Sequence, residues 1–165
     1  MKYLDIVELF VDKTEYRLNG VRKGMRGRIT DCDVFEDNKR LVFFVLGKAD
    51  NRFVVTALHI PESDLKVVNE WTYLNGEKIV LPFNEYARVV MTEEKEKYTD
   101  DGVHKGFDGW ICDPRRIENS WLVSFDQYGD LPDIACISVK ERDMEVVVPA
   151  PCDLIDYKEW SKNLN

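Results

Sequence analysis

The chain has 165 residues, of which 44% are hydrophobic and 12% aromatic, with 9 glycines and 6 prolines. This composition can fill packed cores and excludes a fibrous or disordered chain. The net charge is −8, and residues 83–165 carry all of it with 18 acidic and 10 basic side chains, so this half repels nucleic-acid backbones and attracts basic partners.

The N-terminal segment does not resemble a signal peptide, because Asp5 and Glu8 interrupt its apolar run. No apolar stretch approaches the roughly 20 residues that a membrane-spanning helix needs. We therefore expect a soluble, cytoplasmic protein that does not bind a membrane. The charge and composition leave a monomer or a weak dimer open.

Short strands with alternating apolar residues dominate the first part of the chain. A long polar loop up to Lys23 separates the first strand from the second, and a tight turn at Pro61–Asp64 precedes the last. Five short strands without a long helix predict a small β-barrel. The predicted strands are Leu4–Val11, Gly27–Val34, Arg40–Leu46, Phe53–Ile60 and Leu65–Val68.

An internal repeat emerges when the chain is shifted by 82 positions against itself. Eight of sixteen positions are identical between residues 16–31 and 98–113, and the shared pattern is Y-x-x-x-G-V-x-K-G-x-x-G-x-I-x-D. The same shift pairs Phe43 with Phe125 and Gly47 with Gly129. After a three-residue deletion, Glu62-x-Asp64-Leu65 pairs with Glu141-x-Asp143-Met144. A fixed period of this kind indicates duplicated structural units.

The repeat predicts a mainly β chain in four parts. Residues 1–68 form the first barrel and residues 86–148 the second. Residues 69–85 form an ordered hairpin linker, since Asn75-Gly76 lies between alternating runs. Residues 149–165 form a tail with a short helix, which we expect to lie on the second barrel.

The motif G-V-x-K-G-x-x-G-x-I, followed by two alternating strands and an acidic turn, resembles the SH3-like barrels of many small bacterial proteins. Some of these are uncharacterised proteins encoded beside toxin genes. The resemblance covers roughly residues 7–68 and 89–147. It implies tandem SH3-like barrels, and it suggests an immunity protein of a toxin system. Barrels of this fold also bind RNA and peptides, so the fold does not supply the function.

Catalytic groups do not assemble into a recognisable motif. His59 corresponds to Ser138 in the second repeat and His104 replaces Arg22, so the shared fold requires neither histidine. The sequence has four cysteines, which form no CxxC pair, and we expect them to be small residues of the core. They are Cys32, Cys112, Cys136 and Cys152. Carboxylate pairs such as Asp31 with Asp33 are expected in solvated loops. The sequence predicts a non-enzymatic protein with no catalytic residue, no metal and no cofactor.

A basic cluster in the first repeat supports an alternative function. Five bases in twelve residues are a pattern that RNA- or DNA-binding KOW-like barrels use to grip phosphates. The second repeat retains only one of them, as Lys105, which argues against nucleic acid as the partner. The basic cluster comprises Arg17, Arg22, Lys23, Arg26 and Arg28.

The differences between the repeats point to an interface. In the first repeat Ile6, Phe10, Val42 and Phe44 are predicted to form an outward apolar face that packs on the linker or the other barrel. In the second, Trp110 replaces Arg28, Trp121 replaces Lys39 and Tyr128 replaces Leu46. Aromatic anchors flanked by carboxylates suit a basic protein partner. The equal alternative is that Trp110 or Trp121 covers the linker or the tail. The predicted partner-binding residues are Asp108, Trp110, Asp113, Trp121, Asp126, Tyr128 and Asp130.

Together these observations predict an acidic immunity or inhibitor protein that neutralises a basic partner, for which a bacterial toxin domain is the class suggested by the resemblance.

Overall fold

The computed structural model describes residues 1–68, 70–73, 75–126 and 132–164. The chain is mainly β, with two sheets and a few short helices, as the sequence predicted. It divides into two compact units: Met1–Ile79 with Asp153–Asn165, and Val80–Cys152. None of the helices in the described part of the chain is long and apolar enough to span a membrane.

The first unit contains the five predicted strands in the predicted order. The observed strands are β1 (Ile6–Leu9), β2 (Arg26–Ile29), β3 (Lys39–Ala49), β4 (Arg52–Pro61) and β5 (Leu65–Val68). The polar loop after β1 differs from the prediction, because it contains a one-turn helix, α1 (Thr14–Arg17). This turn places Tyr16 in the core. The tight turn before β5 is a 3₁₀ turn at Glu62–Asp64.

The second unit repeats this succession. Its elements are β6 (Arg88–Met91), α2 (Glu96–Thr99), β7 (Asp108–Ile111), β8 (Ser120–Phe125), β9 (Ala135–Lys140) and β10 (Met144–Val148). The strand order is β5-β1-β2-β3-β4 in the first sheet and β10-β6-β7-β8-β9 in the second. All of these neighbours pair antiparallel. The two halves of the chain therefore form two sheets with the same strand order.

The C-terminal segment belongs to the first unit, so the prediction that its helix lies on the second is wrong. Strand β11 (Leu154–Asp156) adds to the first sheet by pairing parallel with β4. Helix α3 (Tyr157–Lys162) follows, and the side chain of Asp156 caps it by accepting a hydrogen bond from the backbone N–H of Lys158 at 2.8 Å. This cap accounts for the start of the helix.

The core of the first unit corrects the predicted repeat register. Val42 and Phe44, predicted to face outward, are completely buried beside Ile29 and Ile60. Ile6 is half-buried and Phe10 is exposed, so the four residues do not form one apolar face. The turn that follows the second strand of each unit is one residue shorter in the second unit. Its two residues with positive φ angles are Asp37 and Asn38 in the first unit and Glu118 and Asn119 in the second, which are 81 rather than 82 positions apart.

The shorter turn moves every residue of the following strand by one position relative to the shift of 82. Arg28 is opposite Phe43, and its counterpart Trp110 is opposite Ser124. Ile29 is opposite Val42, and its counterpart Ile111 is opposite Val123. Phe125 is therefore the counterpart of Phe44 rather than of Phe43, and both are fully buried. A one-residue slip moves each side chain to the opposite face of a strand. The shift of 82 positions thus assigned core residues to the surface.

Each unit also contains a polar triad around a buried aspartate, which the sequence analysis missed. In the first, Lys13 Nζ and Tyr16 Oη both donate to Asp64 Oδ2 at 2.6 Å. In the second, Tyr98 Oη donates to Asp143 Oδ2 at 2.7 Å, and Lys95 pairs with the same carboxylate. Burial opposes ionisation of both carboxyls, but the hydrogen bonds from lysine and tyrosine outweigh it and hold the pKa of each below its ordinary value.

The repeated glycines allow backbone turns and a close approach between strands. Gly20 and Gly24 adopt φ angles of +78° and +89°, a region that only glycine enters without strain. Gly27 allows a close approach between strands, because a Cβ there would lie 2.7 Å from the backbone oxygen of Phe43. A Cβ at Gly109 would likewise lie 2.5 Å from the backbone oxygen of Ser124. These contacts explain why both repeats contain the same glycine pattern.

Candidate protein-binding surface

Each sheet has one row of side chains on the face opposite its core, which we call the outer row. In the first unit it comprises Ile6, Arg28, Phe43 and Ala57, paired in that order across β1 to β4. In the second it comprises Arg88, Trp110, Ser124 and Cys136, paired across β6 to β9. Because side chains alternate along a strand, these rows are structurally equivalent and can be compared position by position.

The outer row of the first unit is covered by the segment that follows β5. Trp71 lies over Arg28, with the guanidinium carbon 5.0 Å from the ring centroid, and packs edge-on against Phe43 at 6.4 Å between ring centroids. Arg28, Phe43 and Trp71 are 5%, 7% and 7% exposed. The segment forms a small hairpin, in which Thr72 pairs with Lys78. The centre of this row, at Arg28 and Phe43, is therefore closed, whereas Ala57 at its end is exposed.

The outer row of the second unit is open at Trp110, while its neighbour Ser124 is buried. Trp110, the counterpart of Arg28, is 36% exposed, and Tyr86, stacked on it at 6.1 Å with an angle of 11° between the rings, is 60% exposed. Leu122 on the same face of β8 is also exposed. Large exposed aromatic side chains that lie together are typical of binding surfaces.

Asp126 places a carboxylate at the edge of this aromatic pair. It accepts a hydrogen bond from Trp110 Nε1 at 2.7 Å and another from Ser124 Oγ at 2.8 Å. The bond from Trp110 is the main reason that the pKa of Asp126 lies below its ordinary value; Ser124 and Asp133 add to this effect and partial burial opposes it. Among the described residues, no basic side chain forms an ion pair with Asp126. Its negative charge therefore remains available to a partner.

The other predicted acidic residues are placed differently. Asp108 lies beside the outer row but is paired with Arg88, whose Nη2 is 2.8 Å from Asp108 Oδ2. Asp113 binds Arg115 through two hydrogen bonds, of 2.8 and 2.5 Å, which lower the pKa of its carboxyl to about 2. Tyr128 and Asp130 lie outside the described residues. Of the predicted set, the structure brings Trp110, Asp126 and Asp108 together.

Trp121 does not belong to the exposed surface that the sequence predicted. In the corrected register it is the counterpart of Arg40 rather than Lys39, and it is 7% exposed. Its Nε1 donates to Glu141 at 2.8 Å, just as Arg40 Nε donates to Glu62 at 2.7 Å. The two side chains thus anchor the same acidic turn of their units. Trp121 is a structural residue.

The basic cluster of the first unit is largely occupied by internal contacts. Arg17 pairs with Asp12 at 3.0 Å and Arg26 with Glu8 at 3.0 Å, while Arg28 is buried under Trp71. Arg22 and Lys23 are exposed. The five bases therefore do not form one continuous basic surface.

The cysteines differ from the predicted core residues, because Cys32, Cys136 and Cys152 are exposed. The Sγ atoms of Cys112 and Cys136 are 3.7 Å apart, and burial together with this contact raises the pKa of Cys112 to about 11. Asp31, Cys32 and Asp33 have potential ligand atoms within 4.8 Å of one another. Their proximity follows from a local turn, in which the Asp33 backbone N–H donates to Asp31 Oδ1 at 2.9 Å.

The histidines and the cavity do not combine into a catalytic arrangement within the described ranges. His59 is exposed and packs edge-on against Phe35, and exposed His104 contacts Glu94 at 2.8 Å. An open cavity of ≈ 350 Å³ in the second unit has a charged lining. Its lining residues are Arg116, Glu118, Asn119, Lys140, Glu141 and Arg142.

The charge is distributed unequally between the units. The second unit, Val80–Cys152, contains 15 acidic and 8 basic residues, a net charge of −7. The first unit, with its C-terminal segment, has 16 acidic and 15 basic residues and a net charge of −1. The open aromatic surface thus lies on the strongly acidic unit.

Tyr86 is the site residue that sequence reasoning missed. It adopts a positive φ of 68°, as its counterpart Leu4 does, and the backbone N–H of each donates to the end of the next strand. The exchange of Leu4 for Tyr86 in the 82-residue register was the available signal.

Comparison of the chain with protein-family models, curated proteins and solved structures found no match.

Proposed function

We propose that this chain is a non-enzymatic protein-binding module whose second unit binds a basic protein partner through its open outer row. The observation that supports this proposal most strongly is the contrast at one position of the repeat. Arg28 is buried under Trp71 in the first unit, whereas Trp110 is exposed with Tyr86 in the second.

Each unit is proposed to be an SH3-like barrel. Support comes from the five antiparallel strands in the same order in both units and from the glycine motif that resembles this family. Barrels of this kind use one sheet face or a loop cluster for ligands, so the fold accommodates a binding role without requiring one.

The physical basis of binding is a division of labour between rings and carboxylates. Trp110 and Tyr86 provide apolar area that a partner can bury, and tryptophan and tyrosine are among the commonest residues that dominate binding energy. The net charge of −7 on this unit accelerates encounter with a positively charged surface and disfavours acidic competitors.

Within this class, we propose an acidic immunity or inhibitor protein that neutralises a bacterial toxin. The toxin link comes from the resemblance to barrel proteins encoded beside toxin genes. Nuclease toxins need basic surfaces to hold nucleic acid, and an acidic protein that covers such a surface blocks it without any chemistry of its own.

Nucleic-acid binding through the basic cluster is the weaker alternative. Arg17 and Arg26 are paired with acidic side chains, and Arg28 is buried, so Arg22 and Lys23 are the exposed bases of the cluster that have no acidic contact among the described residues. Two phosphate contacts would give only weak, salt-sensitive binding. A fluorescence-anisotropy titration with single-stranded RNA at low salt should therefore give no saturable binding.

The proposed function is tested by isothermal titration against the protein domain encoded by the adjacent gene. We expect saturable binding that weakens at least tenfold with Trp110→Ala and with Asp126→Lys. The matched control is Glu36→Lys, which makes the same charge change on an exposed residue of the first unit and should alter affinity less than threefold.

Equal losses from Asp126→Lys and Glu36→Lys would reduce the effect to net charge and contradict the assigned surface. If changes in the first unit abolish binding while Trp110→Ala leaves it unaffected, the interface has been assigned to the wrong unit.

A further inference from the structure

The contact that closes the outer row of the first unit is a cation on an aromatic ring. Arg28 extends from the sheet and Trp71 from the covering hairpin, and the two stack at 5.0 Å. In the second unit the sheet position has changed from a cation to an aromatic residue, Trp110. The sheet of the second unit therefore presents the aromatic ring of a cation–π contact, whereas the sheet of the first presents the cation.

The second unit also lacks the covering residue. Measured from the shared turn that pairs Leu65 with Met144, the position of Trp71 corresponds to Ala150. The chain beyond this point, from Asp153 onward, belongs to the first unit, where Leu154–Asp156 extends the first sheet. No covering tryptophan thus follows β10 as Trp71 follows β5.

We propose that the partner supplies an arginine side chain that stacks on the Trp110–Tyr86 pair, with its guanidinium beside Asp126. This inference rests on the proposed function and names the group that the surface recognises. The first unit provides the precedent, because it satisfies the equivalent position internally with an arginine–tryptophan stack.

The charges around the aromatic pair favour a cation. Asp126 has no ion pair among the described residues, and a side-chain hydrogen bond with Asp133 contributes to lowering its pKa. Arg88, opposite Trp110 on the neighbouring strand, is neutralised by Asp108 through a pair of contacts at 2.9 and 2.8 Å. The three carboxylates thus outnumber the single guanidinium.

Arginine fits this surface better than lysine. A guanidinium is planar, stacks on aromatic rings and donates in a fork that matches a carboxylate, whereas an ammonium is a more strongly hydrated point charge. The hydrogen bond from Trp110 Nε1 holds Asp126 at the edge of the indole. A guanidinium that stacks on Trp110 can therefore reach the carboxylate at the same time.

The test is a nuclear magnetic resonance titration of the full chain with nona-arginine, nona-lysine and nona-glutamate peptides at low salt. The four indole N–H resonances, from Trp71, Trp110, Trp121 and Trp160, report on four separate places in the chain. Trp110→Phe identifies its signal by removing it. We expect nona-arginine to shift the Trp110 resonance most, and to bind at least fivefold more tightly than nona-lysine. Nona-glutamate should not bind.

The carboxylate is tested by Asp126→Asn, which should reduce the preference for arginine to less than twofold. Equal binding of the two basic peptides, or a shift confined to the other indoles, would overturn the arginine stack and leave the proposal of a basic partner intact. If neither basic peptide binds, the proposed acidic binding surface fails as well.

Discussion

The outer rows of the two units show how a duplicated sheet can be closed in one copy and open in the other. In the first, Trp71 covers Arg28 and Phe43, and all three are buried. In the second, Trp110 and Tyr86 stack on each other and remain exposed. The same backbone therefore supports an internal contact in one unit and an available surface in the other.

This difference separates what the fold requires from what it leaves free. Both units contain the buried aspartate triad and the glycine pattern, and both bury a phenylalanine at the equivalent position of the third strand. They differ at the outer row, where no core contact constrains the side chain. A functional surface can change there without loss of the fold.

The largest expected effect concerns the register on which the comparison depends. Phe44→Asp and Phe125→Asp should each destabilise the protein by more than about 4 kcal/mol, because each loses a buried ring and buries an unpaired charge. Urea unfolding followed by circular dichroism measures this effect. Leu122→Asp, on the outer face of β8, is the control and should cost less than about 1 kcal/mol.

If Phe125→Asp were tolerated, the equivalence of Phe44 and Phe125 would be wrong, and the outer rows would no longer correspond.

The buried triads should make both units sensitive to acid in the same way. Asp64→Ala and Asp143→Ala should each cost about 3 kcal/mol, because the buried hydroxyls of Tyr16 and Tyr98 lose their charged acceptor and a partly exposed lysine loses its partner. The pKa of each aspartate is lowered by folding. Its stabilising contribution is therefore complete above the ordinary aspartate pKa of about 3.9 and is lost as the pH falls through the lowered value.

Urea unfolding at pH 7 and at pH 3 tests this assignment. The wild type should lose stability between these pH values, and Asp143→Asn should lose less. An identical loss in the variant would mean that Asp143 does not contribute to the acid sensitivity.

The closed and open rows predict different costs for removing a tryptophan. Trp71→Ala should destabilise the first unit by about 3 kcal/mol, since it uncovers Arg28 and Phe43. Trp110→Ala should cost less than about 1 kcal/mol, because Trp110 is partly exposed. Thermal unfolding of the two variants measures the difference. Equal costs would contradict the distinction between the rows.

A smaller effect is expected at the thiols of the second unit. The pKa of Cys112 is raised to about 11, mainly by burial and then by Cys136. Its alkylation by iodoacetamide at pH 8 should be roughly 100-fold slower than that of exposed Cys32, because the thiolate is the reactive form. Mass spectrometry of the labelled peptides measures both rates. Similar rates would show that Cys112 is not shielded at this edge of the surface.

Much of the fold could be predicted because local signals agree with it. The alternation from Phe53 to Ile60 and the glycines at positions 20, 24 and 27 identify strands and turns through short-range sterics. The loop helices were missed because a single turn, such as Thr14–Arg17, leaves almost no periodic signal. Its stability comes from Tyr16, which reaches Asp64 across 48 residues of sequence.

The candidate site was predicted only in part for a different reason. Trp110 and Asp126 were identified from the difference between the repeats, but Trp121 was assigned to the wrong face because one residue is missing from a turn. The contribution of Trp71 could not be inferred, since nothing in the local sequence indicates which face a hairpin will cover. Tertiary packing determines that choice.

Hydroxyl-radical footprinting of the protein alone tests whether the outer row is closed at its centre in the first unit and open at Trp110 in the second. Mass spectrometry would compare the oxidation rates of Trp71, Trp110 and Trp121, which share the same intrinsic reactivity. Trp110 should be oxidised several times faster than either of the others, because it is 36% exposed and they are each 7% exposed. Oxidation of Trp71 as fast as Trp110 would contradict this difference between the two units.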